Sequence, residues 1–181
     1  MQEINDKKLG SNAQFVVQCI RSHEIRGQSM LIVLSGPSHA GKSTLAREIS
    51  EVCGNFRIIS PDQIRKQLSV GFGAPECENK VWNIYESMKR QALEDGHNVV
   101  LDACHMSEQA RWHSLQGKNS NFRKICIVFD LPLGTIRERC IREKRLPLSE
   151  AERMWEAFQK SKPTEQELKR LGFNEVYFIH A

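Results

Sequence analysis

Eight residues, Gly36-Pro37-Ser38-His39-Ala40-Gly41-Lys42-Ser43, join an unbroken apolar run, Met30-Leu31-Ile32-Val33-Leu34, to a stretch whose apolar residues Leu45, Ile49 and Val52 recur at helical spacing before Gly54. They satisfy the pattern G-x-x-x-x-G-K-[ST] in the strand-loop-helix setting that the pattern requires. An apolar run with no polar alternation fits a central parallel strand covered on both faces. Glycines let the backbone curl until several N–H groups face one point, and the following helix adds its positive end, so the segment is suited to hold phosphate. Lys42 can neutralise the β and γ oxygens of a nucleoside triphosphate, the Ser43 hydroxyl can enter the shell of a Mg²⁺ ion, and Thr44 can reach the α-phosphate. His39 takes a variable position in the loop and is expected to face solvent, because phosphoryl transfer asks for no imidazole there.

Strands and helices alternate along the rest of the chain. Arg57-Ile58-Ile59, Asn98 to Asp102, Ile125 to Phe129 and Val176 to Ile179 read as further strands. Helices are expected from Pro61, over about 80–94, after Ser107, and from Pro132 through Arg142. Two more are expected near the C-terminus, where Ser149 with Glu152 and Thr164 with Glu167 have capping-box spacing. Ala151, Met154, Trp155 and Phe158 give the first of these an apolar face. The fold class is therefore α/β, a P-loop NTPase fold with a parallel sheet of about five strands, helices on both faces, a helical lid, and ligands at the carboxyl ends of the strands. Residues 1–29 form a polar leader with a short helical stripe of Phe15, Val16, Cys19 and Ile20, and residues 30–181 form the catalytic domain, with the lid at about 137–160. Gly71-Phe72-Gly73-Ala74-Pro75 reads as a loop.

With 181 residues, 40% of them apolar, the chain can bury one core and is too short for two ordinary domains. No apolar run reaches the roughly 20 residues needed to span a bilayer. The first residues lack the basic-then-apolar order of a secretory signal, so a cytoplasmic location with no membrane partner is expected. The six cysteines form no C-x-x-C pair and read as reduced thiols. Net charge is +4, which suits an anionic substrate without establishing nucleic-acid binding.

Transfer to a hydroxyl needs a group that accepts its proton, and a carboxylate is the usual device. Asp62 stands three residues past the second strand, at the end of the sheet where the glycine loop lies. Arg65 shares its helical face and could hold an anionic part of the acceptor, although the same spacing also produces a surface ion pair. Asp102, at the end of the third strand, fits either a Mg²⁺ partner of Walker-B type or a helix cap. From Arg137 to Arg145 five basic residues stand among nine. Arg137, Arg139, Arg142 and Arg145 could belong to a lid that delivers guanidinium groups to the transferring phosphoryl, or to a solvated helix face, given Glu138 and Glu143.

Taken in order, Gly36 to Thr44, Ser60-Pro61-Asp62-Gln63-Ile64-Arg65 as a D-x-x-R motif, Leu101-Asp102 with Arg111, Val128 to Pro132, the basic stretch from Arg139 and Leu146-Pro147 with Met154-Trp155 resemble the polynucleotide 5′-hydroxyl kinases of phage and bacterial RNA repair, within the wider group of small P-loop kinases. The resemblance covers about 30–180. It implies ATP or GTP as donor, Mg²⁺ as cofactor, and the 5′-OH end of RNA or DNA as acceptor. By the same resemblance Asp62 would be the general base and Arg65 the contact to an acceptor phosphate. Lys42 and Ser43 would be the phosphate and Mg²⁺ ligands, and Arg142 or Arg145 the lid arginine. Cys104-His105 departs from the Thr-Asn frequent in that family, the segment from Arg139 to Pro147 is shorter than in the phage enzymes, and the leader has no counterpart. D-x-x-R after the second strand is also found in kinases of small molecules, which leaves a metabolite, antibiotic or toxin-type substrate as the alternative.

Overall fold

β1 (Met30–Ser35) is buried along its whole length, and its side chains supply two cores at once. The computed structural model describes residues 11–24, 29–70, 75–117 and 122–180; the expected loop Gly71 to Ala74 and most of the polar leader's first residues lie outside them. Ile32 and Leu34 enter one apolar cluster with Leu45, Ile49, Ile136 and Cys140. Leu31 and Val33, on the opposite face, join Ile64, Val81, Tyr85 and Phe158. A strand whose alternate residues feed two cores has no polar face to show, which is why its sequence runs apolar without alternation.

Four further strands, β2 (Phe56–Ile59), β3 (Asn98–Leu101), β4 (Arg123–Phe129) and β5 (Glu175–Ile179), complete an all-parallel sheet in the order β2-β3-β1-β4-β5. β1 lies between β3 and β4, so chain order reverses on either side of it. That reversal opens a crevice at the strands' carboxyl ends, and the glycine loop leaves β1 into it.

Around the sheet lie α1 (Ser11–Glu24), α2 (Lys42–Cys53), α3 (Pro61–Gln67), α4 (Pro75–Glu94), α5 (Glu108–Ser114), α6 (Leu133–Glu143), α7 (Leu148–Ser161) and α8 (Glu165–Leu171). α1 packs against α2 and β5, and Ala13, Val16, Val17 and Ile20 belong to the core beneath it. The expected stripe is corrected at one position: Phe15 is 60% exposed, and its neighbours Val16 and Val17 point inward. α8 starts at the expected capping box of Thr164 and Glu167. α7 does not use Ser149 with Glu152; it starts two residues earlier behind Pro147, whose fixed φ of −57° suits an entry to a helix, and this puts Ser149 inside the first turn. α4 begins at Pro75, before the expected start near residue 80. α6 and α7 pack on each other as a hairpin over the loop end of the sheet, and the Trp155 indole N–H donates to the Leu131 carbonyl at 2.8 Å. All six cysteines are free, with Cys126 and Cys140 buried. Among the described residues no helix is long and apolar enough to cross a membrane.

Candidate active site

The glycine loop is held by close packing and by its own backbone. A Cβ added at Gly36 would come within 2.9 Å of the Phe129 Cβ on β4, so only glycine lets β1 and β4 approach there. The Gly36 N–H donates to the Cys104 carbonyl at 2.9 Å, which ties the loop to the segment after β3. Gly41, at φ 97°, turns the chain into α2. Lys42 is buried, and its ammonium donates to the Pro37 carbonyl at 2.5 Å across the mouth of the loop.

Ser43 opens α2 beside Asp102. Both residues line one cleft; burial raises the Asp102 carboxyl above its ordinary range, and the neighbouring Ser43 hydroxyl and the charge of Lys42 draw it back down. α5 is capped by Ser107, whose side chain accepts from the Ala110 N–H, so Asp102 does not serve as that helix's cap. A hydroxyl and a carboxylate meeting at a phosphate loop form the donor set that Mg²⁺ accepts beside phosphate oxygens and water. Among the described residues no cluster of three or more His, Cys, Asp or Glu could hold a metal ion by itself.

An open cleft of about 460 Å³ runs from the loop to α3, lined by Ser43, Thr44, Arg47, Ser60, Asp62, Gln63, Lys66, Asp102, Glu143 and Arg145. It brings together Ser43, Thr44, Asp62, Asp102 and Arg145, five residues singled out from the sequence. The Asp62 side chain is 67% exposed, and the Arg65 guanidinium holds it at 2.6 Å. Arg65 makes the expected i,i+3 pair with Asp62 from a buried position. It is buried, Glu78 on α4 grips it in a two-point pair at 2.9 and 2.8 Å, and it does not line the cleft. The pair thus joins a buried guanidinium to an exposed carboxylate, and Arg65 braces Asp62 from behind.

The lid residues separate in space. Arg145 lines the cleft and donates to Glu143, whereas Arg142 is 67% exposed and lies away from it. Arg139 approaches the loop from α6, donating to the carbonyls of Ala40 and His39 at 2.9 and 3.3 Å. The expectation that His39 faces solvent is overturned. At φ 60° the residue is turned inward, its side chain is fully buried, and its Nδ1 lies 3.0 Å from Glu143 Oε2 at the end of α6. Sequence reasoning missed Glu143 and Glu78. Glu143 had been counted as one of the acidic breaks in a basic run, and Glu78 precedes the point where α4 was expected to begin.

His105 is a core residue. Its Nδ1–H donates to the Leu34 carbonyl at 2.8 Å, which leaves Nε2 to accept from the Tyr85 hydroxyl at 3.2 Å. Complete burial lowers its pKa to about 4, so the ring is neutral. Arg111, 3% exposed, donates to the carbonyls of His105, Met106 and Ser161.

Comparison with known proteins gives three kinds of result. The family described as AAA domain matches residues 31–161. No match is found among curated proteins. Among solved structures, a chain of the Pnkp1/Rnl/Hen1 RNA repair complex is similar at 24% identity and a TM-score of 0.66, over 75% of this chain and 45% of that one. A structure from the PezAT chromosomal toxin-antitoxin system of Streptococcus pneumoniae is similar at 19% identity and a TM-score of 0.60, over 96% of this chain and 78% of that one. A gluconokinase from Sinorhizobium meliloti is similar at 16% identity and a TM-score of 0.54, over 83% and 82%. This chain spans less than half the length of the RNA-repair chain. At such identities the likenesses establish the shared fold, that of P-loop kinases.

Proposed function

Because the chain belongs to the AAA domain family, by a match that spans the phosphate loop, both carboxylates and the lid arginines, we propose that it is a kinase that transfers the terminal phosphate of ATP, or of GTP, to the 5′-OH end of RNA or DNA. One observation carries the reading: the Asp62 carboxylate lines the same cleft as Ser43, Thr44 and Asp102. An oxygen held beside Asp62 would face a phosphate chain gripped by the loop.

In this reading the loop N–H groups and Lys42 bind the β and γ oxygens, with Lys42 exchanging the Pro37 carbonyl for phosphate. Ser43 and Asp102 would hold Mg²⁺, which supplies charge neutralisation to the transferring phosphoryl. Asp62, kept in place by Arg65 and Glu78, accepts the proton of the attacking hydroxyl. Arg145 reaches the cleft from the corner between α6 and α7 and can stabilise the charge spread over the phosphoryl oxygens. Arg139 holds the loop in shape through its carbonyls. A polynucleotide end suits the acceptor side: the cleft is open, and Arg47 and Lys66 line it with Asp62 as exposed cations.

A second reading, a kinase of a small-molecule hydroxyl, is favoured by Arg65. With its guanidinium engaged by Glu78 and Asp62, contact to an acceptor phosphate would require those bonds to open. The deciding experiment incubates the protein with Mg²⁺ and γ-labelled ATP across a panel of 5′-OH oligonucleotides, their 5′-phosphorylated counterparts and small polyols. Label on the 5′-OH oligonucleotides alone is expected. Label confined to a polyol would replace the first reading with the second.

A further inference from the structure

Phosphoryl transfer as outlined gives the loop histidine nothing to do, yet its side chain is fully buried. His39 Nδ1 lies 3.0 Å from Glu143 Oε2, and the same oxygen accepts from Arg145 through Nε at 3.1 Å and Nη2 at 2.5 Å. A carboxylate only accepts, so Nδ1 carries the proton in this pair. His39 Nε2 is buried and has no partner among the described residues. A space-filling residue would avoid both this unmade bond and the left-handed backbone at φ 60°. On the lid side, Lys144 at φ 52° reverses the chain after α6 and sets Arg145 beside Glu143. An exposed Glu–Arg pair two residues apart holds little by itself, because both side chains keep their rotamer freedom. Anchoring the glutamate to a buried ring removes that freedom from one partner.

We propose that His39 is a positioning residue: from inside the phosphate loop it pins Glu143, and Glu143 holds Arg145 at the cleft. The loop thereby sets where the lid arginine stands. The inference rests on the donor half of the reading above, in which a nucleoside triphosphate lies in the loop, and is independent of the acceptor.

The test measures dissociation constants for MgATP and for AMP on the full chain carrying His39→Asn or His39→Asp, each with and without Arg145→Ala. Asn and Asp have the same shape and both tolerate a left-handed backbone. Asn can donate to Glu143, whereas Asp sets a like charge against it. His39→Asp is expected to weaken MgATP by about tenfold, the size of one charge-assisted hydrogen bond, and AMP by less than about twofold, since AMP lacks the distal phosphates. His39→Asn should recover most of that loss, and the Asn–Asp difference should vanish once Arg145 is Ala. Equal binding by the two variants, or a difference that persists without Arg145, would overturn the proposal. Should His39→Asp fail to fold by thermal melting, Glu143→Gln with and without Arg145→Ala reads the same link, and a loss independent of Arg145 counts against it. If the parent binds MgATP and the Asn–Asp split appears while no hydroxyl is phosphorylated, the inference stands and the proposed reaction falls. A parent that binds no nucleotide overturns both.

Discussion

The two walls of the cleft treat their charged groups in opposite ways. On the donor wall Lys42 and His39 are buried, and each is bonded within the protein, to the Pro37 carbonyl and to Glu143. On the acceptor wall Asp62, Gln63 and Lys66 stand in solvent, and Asp62 is steadied from one side by Arg65. In the proposed reaction the donor wall would be built in advance around a shape common to all nucleoside triphosphates. The acceptor wall would supply one oriented carboxylate and leave the rest of the surface to choose the partner.

If the walls divide the work in this way, single substitutions should separate them. The largest effect is expected from Asp62→Asn, which should lower turnover by roughly two orders of magnitude or more with the dissociation constant for MgATP unchanged; near-parental turnover would remove Asp62 as the proton acceptor. Next comes the enclosed side. The folded pKa of His105, lowered by burial to about 4 from 6.5, contributes stability that is fully present above pH 6.5 and lost as pH falls toward 4, because the unfolded chain takes the proton first. The loss should be on the order of 2–3 kcal/mol. Asp102, raised by burial, acts in the opposite sense, so the comparison is denaturant unfolding of the parent against His105→Asn across that window. Asn can keep the donor to Leu34 and suits φ 37°. A pH slope identical in the two proteins would show that His105 is not the titrating group.

A smaller contrast lies within the lid. Arg145→Ala should cost about tenfold in kcat/KM, and Arg142→Ala less, because Arg142 does not reach the cleft; the reverse order would contradict the placement of the two residues. The smallest expected change belongs to Glu78→Gln, which loosens Arg65 behind Asp62. A rise of roughly threefold in acceptor KM without a change in MgATP affinity is expected, measured by steady-state kinetics at saturating donor.

Much of the donor wall could be read from the sequence because its constraints are local. Six consecutive buried residues leave an apolar run, and the tight approach of Gly36 to Phe129 admits only glycine. Asp62 and Asp102 were found from their positions just past strand ends, where the fold gathers its ligands. What escaped were contacts between distant residues. His39 and Glu143 lie 104 positions apart and leave no periodic trace, so the histidine's inward turn could not be inferred. The Arg65–Glu78 pair joins two helices across the undescribed Gly71 to Ala74. At Ser149 a valid capping spacing was outweighed by Pro147, which starts the helix sooner, and at Phe15 a shift of one residue moved the buried stripe onto Val17.

Arg111 has a mechanical consequence for the α6–α7 hairpin. Its guanidinium joins the carbonyls of His105 and Met106 to that of Ser161, and the Ser161 hydroxyl returns to Met106. The peptide just before, at Cys104, receives the Gly36 N–H. The far end of α7 is thereby riveted to the strand-end segment on which the glycine loop rests, so that end is held in place. Any swing of the hairpin has its fulcrum there and its travel at the opposite tip, between Lys144 and Pro147, where Arg145 is carried.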